Sequence, residues 1–137
     1  MRAVGIDYGK VRVGIAISDP GQTIAHPHSI INITSPKNAA RQIVELIKTL
    51  EIDIIIIGLP LLLSGKEGEA AESARLLGKE IGKRTKIKIE YIDERFSSSS
   101  AEKTMHDNGV SEKKMRGKVD KIAAALILQT YLDKKRP

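Results

Sequence analysis

Ile54-Ile55-Ile56-Ile57 is an unbroken run of β-branched residues near the middle of this 137-residue chain. A strand with one face in water alternates apolar and polar residues, whereas a strand covered on both faces is apolar throughout. The run therefore predicts a central parallel strand in a sheet that carries helices on both of its faces. That arrangement is typical of the α/β class.

The residues before this run predict three short strands joined by tight turns. The second strand alternates strictly, because Val11, Val13, Ile15 and Ile17 are separated by polar or small residues. Turn-forming residues at 8–10 and 19–21 divide the segments, and Pro27 interrupts the third. Sequential strands with such short connections form an antiparallel meander, here over residues 3–6, 11–18 and 23–33.

Helices and strands alternate in the rest of the chain. Ser35-Pro36 predicts a helix cap and first turn, and the helix extends to about residue 50. A helix over 70–81, a strand over 87–91 nearer an edge, a short helix over 99–108 and a last helix over 118–133 follow. Right-handed crossovers make the first, fourth and fifth strands parallel. We expect one domain, residues 1–137, with a mixed five-stranded sheet: three antiparallel strands, then parallel βαβ units, with helices on both faces.

The composition excludes several classes of site and partner. Cysteine is absent, which rules out disulfides, thiolate zinc sites and thiol nucleophiles. The formal net charge of +6 favours a polyanionic partner such as nucleic acid, although a basic coat that aids solubility is an equal alternative. Aromatic residues make up only 3%, so a bound nucleic acid would be held mainly through its phosphates. The longest uncharged apolar stretch, residues 54–63, is about half of a membrane span, so we expect a cytoplasmic protein without a membrane partner.

Three acidic residues are the candidate catalytic and metal-binding groups. Asp7 follows the first strand and Glu94 follows the fifth, and the carboxyl ends of parallel strands lie along one edge of a sheet. Asp120 shares a face of the last helix with Ala123 and Ala124, where an unpaired carboxylate would be costly without a cation. Oxygen donors without histidine or cysteine suit Mg²⁺ or Mn²⁺, which could promote in-line hydrolysis of a phosphodiester. The alternatives are a turn or cap residue at Asp7 and, at Asp120, either a salt bridge or a first-turn aspartate favoured by the helix dipole.

Basic residues near these acids are candidates for contacts with nucleic acid. Arg12 and Arg95 could bind phosphates or orient the acids, and an exposed salt bridge is an equal alternative for either. A basic cluster leads into the last helix and predicts a surface that follows a phosphate backbone, with a merely solvated face as the alternative. Its members are Lys113, Lys114, Arg116, Lys118 and Lys121.

Four ordered blocks, spread over residues 2–132, resemble the successive motifs of the YqgF/RuvX family. They are Asp7-Tyr8-Gly9-Lys10-Val11-Arg12-Val13-Gly14, Gly58-Leu59-Pro60, Asp93-Glu94-Arg95-Phe96 and Asp120-Lys121-Ile122-Ala123-Ala124. Proteins of that family are Holliday-junction-resolvase-like nucleases with a ribonuclease-H-like fold, also described as nucleases of pre-16S rRNA. The resemblance implies this fold and places the family's metal-binding acids on Asp7, Glu94 and Asp120. The chain departs from the family where Leu61-Leu62-Leu63-Ser64 replaces an Asn and an acidic or amide residue.

The expected function is therefore a metal-dependent nuclease of structured nucleic acid, acting as a monomer or weak homodimer. Processing of the 5′ end of pre-16S rRNA is the leading substrate hypothesis, and resolution of Holliday junctions is the alternative. A non-catalytic nucleic-acid-binding module is the alternative from another class. An ATPase related to actin is disfavoured, because the chain is too short for the second domain that closes over the nucleotide.

Overall fold

A mixed sheet forms the centre of the molecule. The computed structural model describes residues 1–62, 64–93 and 112–135, and for residues 112–120 it describes the backbone but not the side chains. The strands lie in the order β3-β2-β1-β4-β5. β1 pairs antiparallel with β2, as does β2 with β3, whereas β1–β4 and β4–β5 are parallel. The predicted five-stranded arrangement is confirmed. The bounds are β1 Arg2–Tyr8, β2 Arg12–Ser18, β3 Ala25–Asn32, β4 Ile52–Leu59 and β5 Lys88–Asp93.

Helices cover both faces of this sheet, as the isoleucine run predicts. The helices described are α1 Pro36–Ile47, α2 Glu69–Gly82 and α3 Glu112–Lys135. Ile55 and Ile57 pack in the cluster that contains the buried residues of α1 and α2. Ile54 and Ile56 point to the other face and pack with α3. All four isoleucines are at most 5% exposed, so the apolar run is explained by burial on both sides.

α3 lies against the backbone of β1 and runs opposite to it. A Cβ atom at Gly5 would be 2.7 Å from the Leu128 Cβ and 2.8 Å from the Ala124 carbonyl oxygen. The carboxyl end of α3 reaches the edge where β1 and β4 begin, because Lys135 Nζ donates to Gln22 Oε1 at 3.0 Å and Gln22 Nε2 donates to Asp53 Oδ1 at 2.7 Å. The amino-terminal half of α3 is consequently directed toward the edge where β1 and β4 end.

Several strands are longer than the sequence predicts. Asp7 lies inside β1 and pairs with Gly14, rather than following the strand. Gly58 and Leu59 belong to β4, and Asp93 pairs with Leu59 as the last residue of β5. The ladder continues through these polar and glycine positions because strand pairing uses backbone N–H and C=O groups, whatever the side chain is.

The third strand and the last helix also differ from their predicted bounds. Pro27 lies within β3 and faces Ala16 beside a shift in register, which an edge strand accommodates because its outer N–H groups need no partner. α3 begins at Glu112, earlier than predicted, and includes Gly117. The lysines, methionine and arginine before this glycine are good helix formers and offset its cost of about 1 kcal/mol. The predicted short helix over 99–108 lies outside the described residues.

α3 is buried along one side rather than all round. Ala123, Ala124, Ile127 and Leu128 are fully buried, whereas Ile122 is only partly covered. The sheet covers a single face of the helix, so its remaining apolar residues stay partly accessible. None of the helices in the described part of the chain has the length and apolar character needed to cross a membrane.

Candidate active site

Asp7 lies at the carboxyl end of the central strand β1, on the side of the sheet that α3 covers. Gly5 faces α3, and side chains two residues apart on a strand share a face. Asp7 is half-buried there, whereas the next residue, Tyr8, packs with the cluster on the opposite face. The structure therefore puts an acidic group under the amino-terminal half of α3.

The strands on both sides of Asp7 carry glycine at the same level. Gly14 of β2 is its direct partner. On β4 the register pairs Ile6 with Ile57, and its continuation by one residue brings Gly58 beside Asp7. A cross-strand neighbour normally places a side chain about 4.5–5.5 Å away, Cβ to Cβ. Neither of the two register positions directly beside Asp7 therefore carries a side chain.

Arg12 is held near Asp7 by a tight turn. The Gly9 N–H donates to the Arg12 carbonyl oxygen at 2.9 Å, and a Cβ at Gly9 would lie 2.7 Å from that oxygen. Arg12 is the first residue of β2 and is two residues from Gly14, so it shares the α3 side of the sheet with Asp7. A diagonal pair of this kind is about 7–8 Å apart at the backbone, within reach of a long side chain.

The other predicted site residues are placed less completely. Asp120 and the basic residues Lys113, Lys114, Arg116 and Lys118 belong to α3, but their side chains lie outside the described part. Lys121 is half-buried one turn before Ala125. Glu94 and Arg95 follow β5 and are outside the described residues. Among the residues described, no group of three or more His, Cys, Asp or Glu could hold a metal, so the acidic trio stays a prediction.

Tyr8 is a residue of this edge that the sequence analysis does not single out. Burial raises the pKa of its phenol above the ordinary value, so the group is neutral at physiological pH. Tyr8 and Lys10, two residues farther along the chain, line a cavity of about 330 Å³ on the α1–α2 side of the sheet. The signal in the sequence is the alternation itself, which sends consecutive residues 7 and 8 to opposite faces.

Comparisons with known proteins agree with the fold and with the motifs. A family model described as "RuvX: Holliday junction resolvase" matches residues 1–134. A protein of Endomicrobium trichonymphae named "Putative pre-16S rRNA nuclease" is 41% identical over 133 residues, which cover 96% of this chain and 95% of that protein. A relative of the same name from Syntrophomonas wolfei is 38% identical over 97% of this chain and 94% of its own length.

Solved structures with low sequence identity share the fold. RuvC of Thermus thermophilus in complex with a Holliday junction substrate has a TM-score of 0.59 at 12% identity, over 98% of this chain and 96% of the other. The fowlpox virus resolvase with junction DNA has a TM-score of 0.57 at 15% identity, over 98% of both chains. These likenesses confirm the ribonuclease-H-like α/β class predicted above. The family model that matches residues 1–134 and the relatives at 38% and 41% identity show that the chain belongs to the RuvX family.

Proposed function

We propose that this protein is a metal-dependent nuclease that hydrolyses phosphodiester bonds of structured nucleic acid, most specifically at the 5′ end of pre-16S rRNA. The observation that carries the proposal is the position of Asp7. It lies at the carboxyl edge of the sheet between two glycine-bearing strands, with the amino-terminal half of α3 directed toward it. An open α/β sheet places its binding sites at this edge.

The geometry supports the participation of Asp120. Gly5 contacts the Ala124 carbonyl, and Asp7 is two residues farther along β1, a rise of about 7 Å. Asp120 is four residues before Ala124 in the antiparallel helix, a rise of about 6 Å. The two steps are nearly equal and have the same direction, so position 120 is expected at the level of Asp7.

The strand pairing supports the participation of Glu94. Ile92 pairs with Gly58 and packs with the cluster on the α3 side. The alternation of a strand predicts the same side for Glu94, on the second strand from β1. Three acids would then approach one place at the edge of the sheet.

Such a donor set fits a hard divalent cation. Asp7 offers carboxylate oxygens, and the positions level with it on β2 and β4 are glycines, so neither imidazole nor thiolate lies next to it in the strand register. Asp7, Glu94 and Asp120 would hold Mg²⁺ or Mn²⁺, which when bound activates water and stabilises the leaving oxygen in phosphodiester hydrolysis. The carboxylates of this chain would fix the position of the cation relative to the sheet.

The basic residues orient the substrate in this proposal. Arg12 and Arg95 contact phosphates near the acids. The basic residues of α3, from Lys113 to Lys121, follow the backbone farther away, because the helix leads from the acidic edge. A chain with a net charge of +6 attracts a polyanion toward these groups.

The names of the relatives favour pre-16S rRNA as the substrate, and a cytoplasmic location follows from that substrate. The description of the family model favours a second candidate, the Holliday junction. Symmetrical cleavage of a junction needs two active sites, so it would require the weak homodimer rather than the monomer. Light scattering with and without a junction distinguishes these states.

Cleavage of labelled substrates in Mn²⁺ tests the proposal. Asp7→Asn should lower the rate by about 100-fold or more, since even indirect partners of metal ligands contribute 10- to 100-fold. The matched control is Asp53→Asn, near the start of β4 and so at the opposite end of the strands from Asp7. The amide oxygen of asparagine can still accept the hydrogen bond from Gln22 there. The substrates are a pre-16S rRNA fragment with its 5′ leader, a four-way DNA junction and a plain duplex.

Full activity of the folded Asp7→Asn protein would contradict the proposed site, and equal cleavage in excess EDTA would contradict a metal-dependent nuclease. Salt-sensitive binding without turnover by the wild-type protein would support the non-catalytic binding module instead. Preferential cleavage of the junction would favour the resolvase over the rRNA nuclease.

A further inference from the structure

A cavity opens on the side of the sheet opposite to Asp7, and we call it the Tyr8 pocket. It has a volume of about 330 Å³, near the lower end for small-ligand sites. Its lining includes Tyr8, Lys10, Pro36, Glu69, Ala70 and Ser73.

The lining of the pocket combines a flat apolar surface with a few polar groups. Tyr8 supplies an aromatic ring, and Pro36 and Ala70 supply apolar wall. The Ser73 hydroxyl can both donate and accept, and the Glu69 carboxylate accepts hydrogen bonds. This combination suits a planar heteroaromatic group that carries N–H donors.

The charge of Glu69 argues against a phosphate inside the pocket. A carboxylate repels an anion but accepts hydrogen bonds from the amino groups of bases. Lys10, which is exposed at the β1–β2 turn, is the basic group of the lining. A nucleotide can therefore place its base against Tyr8 and a phosphate near Lys10.

The position of Tyr8 in the chain connects this pocket to the acidic edge. Asp7 and Tyr8 are consecutive, and their side chains point to opposite faces of β1 at the same edge of the sheet. A strand of nucleic acid that crosses this edge would bring one phosphate to Asp7 and a neighbouring base to Tyr8. A paired and stacked base could not enter, so the nucleotide must be unpaired.

We infer that the Tyr8 pocket binds the base of an unpaired nucleotide next to the scissile phosphate. This inference rests on the proposed nuclease function and narrows its substrate to strands with an unpaired nucleotide beside the cut. One aromatic ring serves one base, which agrees with the low aromatic content of the chain. The remaining contacts are made through phosphates.

Fluorescence of 2-aminopurine, placed in turn at each unpaired position of a hairpin RNA, tests the inference by direct binding in EDTA. Stacking on Tyr8 should quench emission at one position in the wild-type protein and in Tyr8→Phe, which keeps the ring. Tyr8→Ala should abolish the quench and weaken binding of this RNA about ten-fold, equivalent to about 1.4 kcal/mol, because the stacking of one base is lost. Binding of a fully paired duplex should not change.

Lys10→Glu provides a variant that leaves the packed ring in place. It should weaken binding of the hairpin RNA more than the control variant Lys86→Glu does. The control makes the same change of charge at an exposed residue just before β5, at the opposite end of the strands. An abasic site at the quenched position should weaken binding to the wild-type protein about as much as Tyr8→Ala does. This second measurement needs no variant and decides the matter if Tyr8→Ala does not fold.

The outcomes separate the two proposals. If the protein cleaves in Mn²⁺, no position is quenched and the abasic RNA binds normally, the proposal of base binding in the Tyr8 pocket is overturned and the nuclease proposal stands. A quench that depends on Tyr8 in a protein that never cleaves supports the pocket and removes the nuclease. A quench that persists in folded Tyr8→Ala also overturns the pocket.

Discussion

Consecutive residues of β1 have different tasks because they alternate between two environments. Gly5 and Asp7 face α3, whereas Ile6 and Tyr8 face the α1–α2 side. Gly5 permits backbone contact with α3, which sets how near that helix can come to Asp7. Its neighbour Ile6 is fully buried in the opposite cluster. The strand therefore couples core packing with the placement of the acidic group.

Gly5→Ala should destabilise the protein. The added Cβ would lie 2.7 Å from the Leu128 Cβ and 2.8 Å from the Ala124 carbonyl oxygen, so α3 must shift. Overpacking of this kind costs about 1–3 kcal/mol in the free energy of unfolding, which urea denaturation measures. Gly82→Ala is the control, because nothing lies within 4 Å of its Cβ and the helix should gain up to about 1 kcal/mol. Equal stabilities of the two variants would contradict the close contact.

Asp19 makes the turn between β2 and β3 sensitive to pH. Its Oδ1 accepts from the N–H groups of Ile24 at 2.8 Å and Thr23 at 2.7 Å, and these bonds lower the carboxyl pKa below its ordinary value. Because the pKa of Asp19 is lower in the folded state, its carboxylate stabilises the fold at pH values above its pKa in the unfolded chain. This stabilisation is lost as the pH falls through the lower pKa of the folded state. Asp19→Asn should be less stable than wild type at neutral pH. The difference should shrink in urea titrations at progressively acidic pH, and a constant difference would refute the assignment.

At the scale of elements, α1 is the helix whose start is most clearly encoded. Ser35 is its N-cap and accepts from the Asn38 N–H at 3.0 Å, and Pro36 is at the first position. Both features are local, so the sequence predicts them without tertiary information. The helix ends at Ile47, before the predicted end near residue 50, so its end is less clearly encoded than its start.

Replacement of the cap tests this local encoding. Ser35→Ala should reduce the free energy of unfolding by about 1 kcal/mol, since the Asn38 N–H loses its acceptor. Ser35→Asn should restore most of the stability, because asparagine caps helices about as well as serine. Urea denaturation of both variants gives the comparison. A loss as large in Ser35→Asn as in Ser35→Ala would mean that packing, not capping, explains the effect.

Element boundaries that depend on long-range pairing were harder to predict. Pro27 interrupts the local strand pattern, yet β3 continues because β2 provides a partner on one side. On its other side, the backbone groups of this outermost strand need no partner strand. Asp7 and Asp93 look like residues that end strands, but the ladder extends through both. These outcomes depend on register, which a single segment does not encode.

At the scale of the whole molecule, strand order was predictable and the detail of the candidate site was not. Right-handed crossovers are general, so they place Asp7 at the correct edge from the sequence alone. The glycines beside Asp7 come from β2 and β4, about seven and fifty residues away in sequence, and only the register brings them level. The Tyr8 pocket likewise requires α1, α2 and the β1–β2 turn to meet.

The distribution of charge along α3 leads to the last prediction. Affinity for nucleic acid should fall steeply with salt, because each neutralised phosphate releases condensed counterions. Replacing Lys113 and Lys114 together by alanine should make the slope of log affinity against log salt less negative by about one to two, since two contacts are lost.

Lys48→Ala with Lys86→Ala removes the same charge from exposed residues outside α3, and should leave that slope nearly unchanged. The exposed Lys48–Glu45 pair at 3.5 Å contributes little to stability, so the control protein should fold normally. Fluorescence anisotropy with a structured RNA from about 50 to 200 mM KCl measures both slopes. Equal slopes for the two double variants would mean that α3 does not follow the backbone, and that the positive charge of this chain attracts nucleic acid without orienting it.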